Sequence, residues 1–136
     1  MSPYLWLQHE YSYNPADHTV NVPIRVLVPS RPPLTVIALL DTGAATSCFD
    51  RALCPVLGIS DIGQGQPIPI RLANNDQRTG YVHQVEIEFL GHRMTIPVVF
   101  SPDFPEGTDN LLGMEGFFDQ VTVAFQHRNR KIFATI

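Results

Sequence analysis

The sequence predicts an all-β domain with one or two short helices, and three observations support this fold class. Twelve prolines and nine glycines interrupt the chain so often that no window sustains a long helical period. Several segments instead alternate apolar and polar residues with a period of two, as strands with one buried face do. With 136 residues, 44% of them hydrophobic, the chain can build one core but hardly two, so we expect a single domain over residues 1–136.

The first predicted hairpin leads directly to an acidic residue. Its first strand places alternating apolar residues on one face, namely Val20, Val22, Ile24, Val26 and Val28. The proline-rich segment 29–33 cannot continue a ladder and predicts a turn. Residues 34–40 are almost continuously apolar, which predicts a strand buried on both faces that runs directly into Asp41.

The middle of the chain predicts two further hairpins. A short strand near residues 47–49 and a helical turn near 50–53 precede them. Residues 67–82 predict a projecting hairpin that could cover a cleft, because its tip, Asn74-Asn75-Asp76, tolerates left-handed backbone. Alternating apolar residues at 85–89 and 94–98, joined by a turn at 90–93, predict the next hairpin.

The C-terminal third predicts a loop, a short helix and a last hairpin. A proline-bearing loop spans 101–109 and leads to Leu111-Leu112-Gly113, followed by a short helix near 115–119. Alternating apolar residues at 121–125 and a turn at 126–130 predict the final pair of strands. We expect the hairpin 121–136, with the apolar segment 4–7, to form an interface between subunits, because exposed apolar edge strands favour pairing.

Composition argues against several classes of function. The net charge of -4 and the 16% content of charged residues provide no broad positive surface for nucleic acid or anionic lipid. Residues 1–10 lack the features of an export signal, and no apolar run reaches the length of a membrane span. We therefore expect a cytoplasmic protein, not bound to a membrane, whose Cys48 and Cys54 remain reduced and pack near the core. The five histidines and these cysteines lack ligand spacing, so no metal or other cofactor is expected.

Asp41 is the residue whose position in the sequence most clearly indicates a chemical role. It ends an apolar strand and is followed by Thr42, whose hydroxyl can tie a tight loop to nearby backbone, and by Gly43, whose missing side chain lets substrate or water approach. Amide hydrolysis by water needs both a base and an acid, and two adjacent carboxyls that share one proton can supply both. No second Asp-Thr-Gly or Asp-Ser-Gly occurs in the chain, so a twofold dimer would have to bring two copies of Asp41 together.

Two segments resemble the retropepsin-like aspartic peptidases, the family of retroviral proteases and their cellular and bacterial relatives. They are Ile37-Ala38-Leu39-Leu40-Asp41-Thr42-Gly43-Ala44 and, later in the chain, Leu111-Leu112-Gly113. The resemblance implies an acid protease barrel with one lobe per subunit, active as a homodimer on peptide or protein substrates. It also implies that Asp41 is catalytic, with Thr42 locking the active-site loops and Gly43 lining the cleft.

The resemblance further implies a set of substrate-binding positions. These are Leu39, Ala44, Ala45, Asn74, Asn75 and Leu111. The sequence departs from many retroviral members in two ways. Its hairpin tip lacks the glycine-rich sequence of their flap, and Ala45 and Met114 stand where they often carry a paired Asp and Arg. The chain is therefore closer to the cellular or bacterial relatives.

Two hypotheses for function follow from these residues. The first is an aspartic endopeptidase that cuts extended peptides at apolar positions, each peptide added as a strand between the hairpin and the floor of the cleft. The alternative is a catalytically inactive domain that keeps the fold and uses the cleft to bind peptides or protein partners, since a fold alone does not establish chemistry. A β sandwich with an accidental Asp-Thr-Gly explains the least.

Overall fold

The computed structural model describes residues 8–136 and confirms the all-β fold class. The ten strands are β1 (His9–Ser12), β2 (Asn21–Val26), β3 (Leu34–Leu40), β4 (Ser47–Cys48), β5 (Gln66–Arg71), β6 (Gln77–Phe89), β7 (His92–Phe100), β8 (Asn110–Leu112), β9 (Thr122–Gln126) and β10 (Lys131–Thr135). Three short 3-10 helices, at Arg51–Leu53, Ile62–Gln64 and His127–Asn129, are the helical elements of this part of the chain. None of them has the length and apolar character needed to cross a bilayer.

Six strands close into a barrel in the order β2-β3-β8-β4-β7-β6. Pairing of Arg25 with Glu88 and of Val26 with Ile87 joins β2 to β6 and completes the ring. The β3–β8 and β4–β7 pairs are parallel, and the other pairs in the ring are antiparallel. The remaining strand, β5, pairs with the first half of β6 and projects from the barrel as a hairpin.

The barrel interior is filled by the alternating residues that the sequence indicates. In β2 the buried positions are Val22, Ile24 and Val26, and β6 and β7 add Val85, Ile87, Phe89, Met94, Ile96 and Val98. Phe117 closes one end of this core, with its ring centroid 5.0 Å from that of Phe89. The two hairpins predicted over residues 67–98 share one long strand, because β6 continues without a break through both.

A separate three-stranded antiparallel sheet has the order β1-β10-β9. The predicted hairpin of β9 and β10 is present, and Ile132 and Ala134 of β10 are fully buried. The expectation that this whole hairpin is an exposed edge is wrong for β10, because β1 of the same chain covers its other side. The segment 4–7, also predicted to take part in an interface, lies outside the described residues.

The predicted burial of β3 on both faces is wrong. Ala38 and Leu40 point into the barrel and are buried, whereas Leu34 is 37% and Ile37 is 58% exposed. A barrel has a single interior, so each of its strands buries alternate residues even where the sequence is apolar throughout. Ile37 therefore faces outward in this chain.

The predicted short helix near residues 115–119 is also absent. The segment forms successive turns, and Gly116 adopts a left-handed backbone with φ of 84°. A right-handed helix cannot pass through that conformation. Instead, the Gly116 N–H donates to Asp119 Oδ2 at 2.9 Å, which holds the turn in place. The helical turn predicted near 50–53 is confirmed as the first 3-10 helix, with Asp50 as its N-cap.

Candidate active site

The loop that carries Asp41 begins where β3 leaves the barrel beside β8. Parallel pairing places Leu39 beside Leu111 and Leu40 beside Leu112. One residue further on, the Asp41 N–H donates to the carbonyl oxygen of Leu112 at 3.0 Å. The two segments that the sequence singles out separately, around Asp41 and around Gly113, thus adjoin in the fold.

The loop is built around the Asp41 carboxylate. The Gly43 N–H donates to Asp41 Oδ1 at 2.9 Å, and the Ala44 N–H donates to the Asp41 carbonyl oxygen at 3.2 Å. A Cβ on residue 43 would lie 3.2 Å from Asp41 Oδ1 and would crowd the carboxylate. Asp41 is half-buried, while Thr42 and Gly43 are exposed. The site is therefore accessible from outside a single chain.

The segment after β8 holds the far side of this loop. Its backbone N–H groups at Met114 and Glu115 donate to the carbonyl oxygens of Ala44 and Ala45, both at 2.9 Å. This close approach explains Gly113, because a Cβ there would lie 2.5 Å from the Thr46 carbonyl oxygen. Backbone on both sides therefore fixes the loop from residue 41 to residue 46.

Two polar side chains that the sequence reasoning missed clamp the same strands together. Ser47 is fully buried, and its Oγ accepts the Gly113 N–H at 3.0 Å. Asn110 accepts the Asp50 N–H at 2.9 Å and donates through Nδ2 to the Ile37 carbonyl oxygen at 3.0 Å. The sequence signal for each was a polar residue within or beside a short apolar strand, which needs a hydrogen-bond partner once it is buried.

Leu39 and Leu111 lie on the outer face of the barrel wall, on the same side of β3 as Asp41. Both are half-buried and are direct neighbours across the β3–β8 pair. Cys48, on the other side of β8, pairs with Leu111 and extends this apolar row, a position that the sequence reasoning did not assign to the site. Burial raises the pKa of the Cys48 thiol, although a hydrogen bond with Thr46 opposes the shift. The thiol is therefore neutral at physiological pH and acts as a small apolar group.

The other predicted binding residues are divided between two places. Ala44 and Ala45 lie in the Asp41 loop, where their carbonyl oxygens are engaged as described. Asn74 and Asn75 are exposed at the tip of the β5–β6 hairpin, where Asn74 bonds to Asp76 and Asn75 has a left-handed φ of 66°. The hydrogen bonds of these two residues stay within the tip.

Two surface grooves of the described chain lie away from Asp41. The larger, about 420 Å³, lies at the base of the β5–β6 hairpin and is lined by Pro67, Ile68, Pro69, Gln77, Arg78, Thr79 and Asp103. The other, about 350 Å³, is lined by Leu27, Val28, Pro29, Arg31, Pro33, Glu86 and Arg93. The Asp41 loop lines neither of these two grooves. Within residues 8–136, no group of three or more His, Cys, Asp or Glu side chains is placed to hold a metal ion.

Comparisons with known proteins agree with the fold. The sequence profile of a family described as gag-polyprotein putative aspartyl protease matches residues 33–118, more than half of the chain. The crystal structure of a retropepsin-like aspartic protease from Rickettsia conorii superposes with a TM-score of 0.67 and 15% sequence identity, covering 93% of this chain and 89% of that one. At that identity the likeness concerns the fold. No curated protein sequence matches the chain significantly.

Proposed function

Because the chain belongs to the gag-polyprotein putative aspartyl protease family and has the retropepsin-like fold, we propose that it is an aspartic endopeptidase whose active unit is a homodimer. One observation carries this proposal. Asp41 stands on a loop fixed by backbone on both sides, yet the loop presents a single carboxylate and an exposed Thr42 and Gly43. A second copy of the loop would complete the pair that amide hydrolysis requires.

In the proposed mechanism the two Asp41 carboxyls share one proton. Like charges held close together resist double ionisation, so one carboxyl is ionised and the other protonated. The ionised group takes a proton from a water molecule as its oxygen attacks the peptide carbonyl carbon. The protonated group gives its proton to the carbonyl oxygen. The newly protonated carboxyl then gives its proton to the peptide nitrogen, while the other carboxylate takes a hydroxyl proton from the tetrahedral intermediate. The C–N bond breaks, an amine and a carboxylic acid leave, and the pair again holds one shared proton.

The neighbouring residues support this chemistry by position. The Gly43 N–H bonded to Asp41 Oδ1 orients the carboxylate, and the missing side chain at Gly43 leaves room for a substrate carbonyl. Exposed Thr42 would meet the same loop of the partner across the twofold axis. The loop would thus hold Asp41 in a fixed position, and its catalytic activity would depend on dimerisation.

The proposed substrate is an extended peptide with apolar side chains at the cleavage site. The apolar row formed by Leu39, Leu111 and Cys48 lies on the same side of the wall as Asp41 and suits such side chains. The projecting β5–β6 hairpin would cover the bound strand, as in peptide recognition by strand addition.

Replacing Asp41 by Asn tests the mechanism. Asn keeps the size of the side chain and can still accept the Gly43 N–H, but it cannot ionise. We expect kcat for an apolar peptide to fall by about 10²–10⁴-fold with the fold unchanged. Asp109→Asn, a change at an exposed aspartate outside the Asp41 loop, is the matched control and should keep full activity. Full activity of purified Asp41→Asn would exclude Asp41 as the catalytic group.

A further inference from the structure

A groove outside the candidate active site carries two arginines without an ionic partner. The groove, of about 350 Å³, lies between the turn that joins β2 to β3 and the strands β6 and β7. Arg31 of the turn and Arg93 of β7 both line it and are exposed. Within residues 8–136 neither guanidinium group forms an ion pair, and residues 1–7 contain no acidic side chain that could neutralise them. We call this site the Arg31–Arg93 groove.

The glutamates beside Arg93 in the sheet do not neutralise its charge. The register places Glu88 of β6 directly opposite Arg93, but the Glu88 carboxylate is bound by Arg25 Nη1 at 3.1 Å. Glu86 lines the groove and pairs in register with Thr95, and it forms no ion pair with another described residue. With two cations and one anion, the groove has an excess of one positive charge on a protein whose net charge is -4.

The turn that carries Arg31 is held by backbone hydrogen bonds and prolines. The Leu27 N–H donates to the Glu86 carbonyl oxygen at 2.9 Å, which joins the start of the turn to β6. The Arg31 N–H donates to the Val28 carbonyl oxygen at 3.3 Å, and three prolines between residues 29 and 33 restrict φ along the same segment. A site whose backbone is already ordered loses less conformational entropy when it binds a ligand.

The lining of the groove indicates the kind of ligand that it would bind. Its apolar part consists of Leu27, Val28, Pro29 and Pro33. Each guanidinium group can hold a carboxylate through two parallel N–H···O hydrogen bonds. A nucleic acid or an anionic bilayer would bring many negative charges, which an excess of one positive charge would attract only weakly. A peptide with a few carboxylates among apolar side chains matches both the charge and the apolar lining.

We propose that the Arg31–Arg93 groove is a docking site for an acidic, partly apolar segment of a partner protein. Carboxylates of that segment would pair with Arg31 and Arg93, and its apolar side chains would cover Leu27 and Val28, which are half-buried. The Asp41 loop lines no part of this groove, so docking is separate from peptide cleavage. The proposal thus goes beyond the proposed function and does not depend on it.

Binding of a synthetic peptide tests the proposal directly. The probe is a hexapeptide of alternating Leu and Glu, capped at both ends, and the Asp41→Asn protein is used so that the proposed active site does not cut it. In an NMR titration we expect saturable shifts of the amide signals of residues 27–31 and 93, and an affinity that falls as salt is added. A capped hexapeptide of alternating Leu and Gln should bind at least about tenfold more weakly. No binding of the acidic peptide, or equal binding of both peptides, would overturn the proposal.

Charge variants test which residues bind the acidic peptide. Arg31→Gln and Arg93→Gln should each weaken binding about three- to tenfold, because each removes one partner of a carboxylate. Glu86→Gln should tighten binding about twofold, because it removes a repelling charge from the groove. Arg128→Gln, at an exposed arginine that forms no ion pair within residues 8–136, is the matched control and should keep the affinity. Equal affinities of the three arginine variants, or a Glu86→Gln protein that binds no more tightly, would contradict the proposal.

Two further measurements separate this docking site from a lipid site and from the candidate active site. Phosphatidylserine vesicles that bind the unmodified protein but not Arg31→Gln, without binding of the acidic peptide, would assign the groove to a lipid surface and overturn the proposal. Arg31→Gln should keep the kcat/KM of the unmodified protein for a short uncharged apolar peptide, and a loss of that activity would contradict separate docking. If Asp41→Asn stays active, the proposed mechanism is wrong, whereas binding of the acidic peptide at the groove still holds.

Discussion

Gly113 shows how a single absent side chain fixes the geometry around Asp41. The backbone at Thr46 passes so close that a Cβ on residue 113 would lie 2.5 Å from its carbonyl oxygen and 2.6 Å from its carbonyl carbon. Backbone atoms cannot swing aside as the end of a side chain can. The Gly113 N–H is at the same time committed to Ser47 Oγ inside the protein.

We therefore expect Gly113→Ala to lower the free energy of unfolding by about 2 kcal/mol or more. Urea unfolding followed by circular dichroism measures the change. Gly63→Ala is a suitable control, because a Cβ there would meet only the side-chain oxygen Oδ1 of Asp61, at 3.3 Å, and no backbone atom. Equal free energies of unfolding for the two variants would mean that Gly113 and the Thr46 backbone can move apart at no cost.

Cys54 makes the free energy of unfolding depend on pH in the alkaline range. Burial raises its pKa from 9.0 to about 11, with Arg51 lowering and Asp50 raising it further. Between these values the unfolded chain releases the thiol proton while the folded chain retains it. The stabilising contribution is thus complete below pH 9 and is lost as pH rises towards 11. We expect the urea midpoint to fall less steeply over this range in Cys54→Ala than in the unmodified protein, and parallel slopes would contradict this.

At the scale of strands and hairpins, local periodicity predicted most of the architecture. The alternation of Val22, Ile24 and Val26 identified a buried face because neighbouring residues in the sequence determine it. The contacts made by Ser47 and Asn110 could not be predicted in this way, since each joins strands far apart in the chain. The helix expected at 115–119 failed because one left-handed glycine ends it.

Ser101 connects the projecting β5–β6 hairpin to the barrel. This almost fully buried residue donates its hydroxyl to the Thr79 carbonyl oxygen at 2.9 Å and accepts the Asp103 N–H at 3.2 Å. Both partners line the groove at the base of the hairpin. The two hydrogen bonds of Ser101 therefore connect the β5–β6 hairpin, which would cover a substrate, to the loop that follows β7.

We expect Ser101→Ala to increase the mobility of the β5–β6 hairpin. Loss of a buried hydrogen bond costs about 1–3 kcal/mol, and the hairpin should show faster amide exchange around Thr79. If the hairpin holds substrate, KM should rise more than kcat falls. Ser30→Ala, in the exposed turn between β2 and β3, is a control that leaves the hairpin untouched. Unchanged exchange at Thr79 would show that other contacts hold the hairpin.

For the molecule as a whole, the fold presents one carboxyl of the pair that the proposed mechanism requires. Asp41 is the single carboxylate of its loop, and the two grooves described above lie elsewhere. The sequence predicted the first of these features from the solitary Asp-Thr-Gly. It did not predict that β10 lies between two strands, because that depends on β1, far away in the sequence, pairing with β10.

Mixing subunits tests whether both copies of Asp41 act together. With equal amounts of unmodified and Asp41→Asn chains at fixed total concentration, random pairing leaves about one quarter of dimers with two intact carboxyls. We expect activity after equilibration to be about one quarter of that of the unmodified protein, whereas independent subunits would retain about one half. Mixing with Asp109→Asn should leave the rate unchanged. A linear decline of rate with the fraction of Asp41→Asn would show that one Asp41 suffices and that the shared-proton mechanism is wrong.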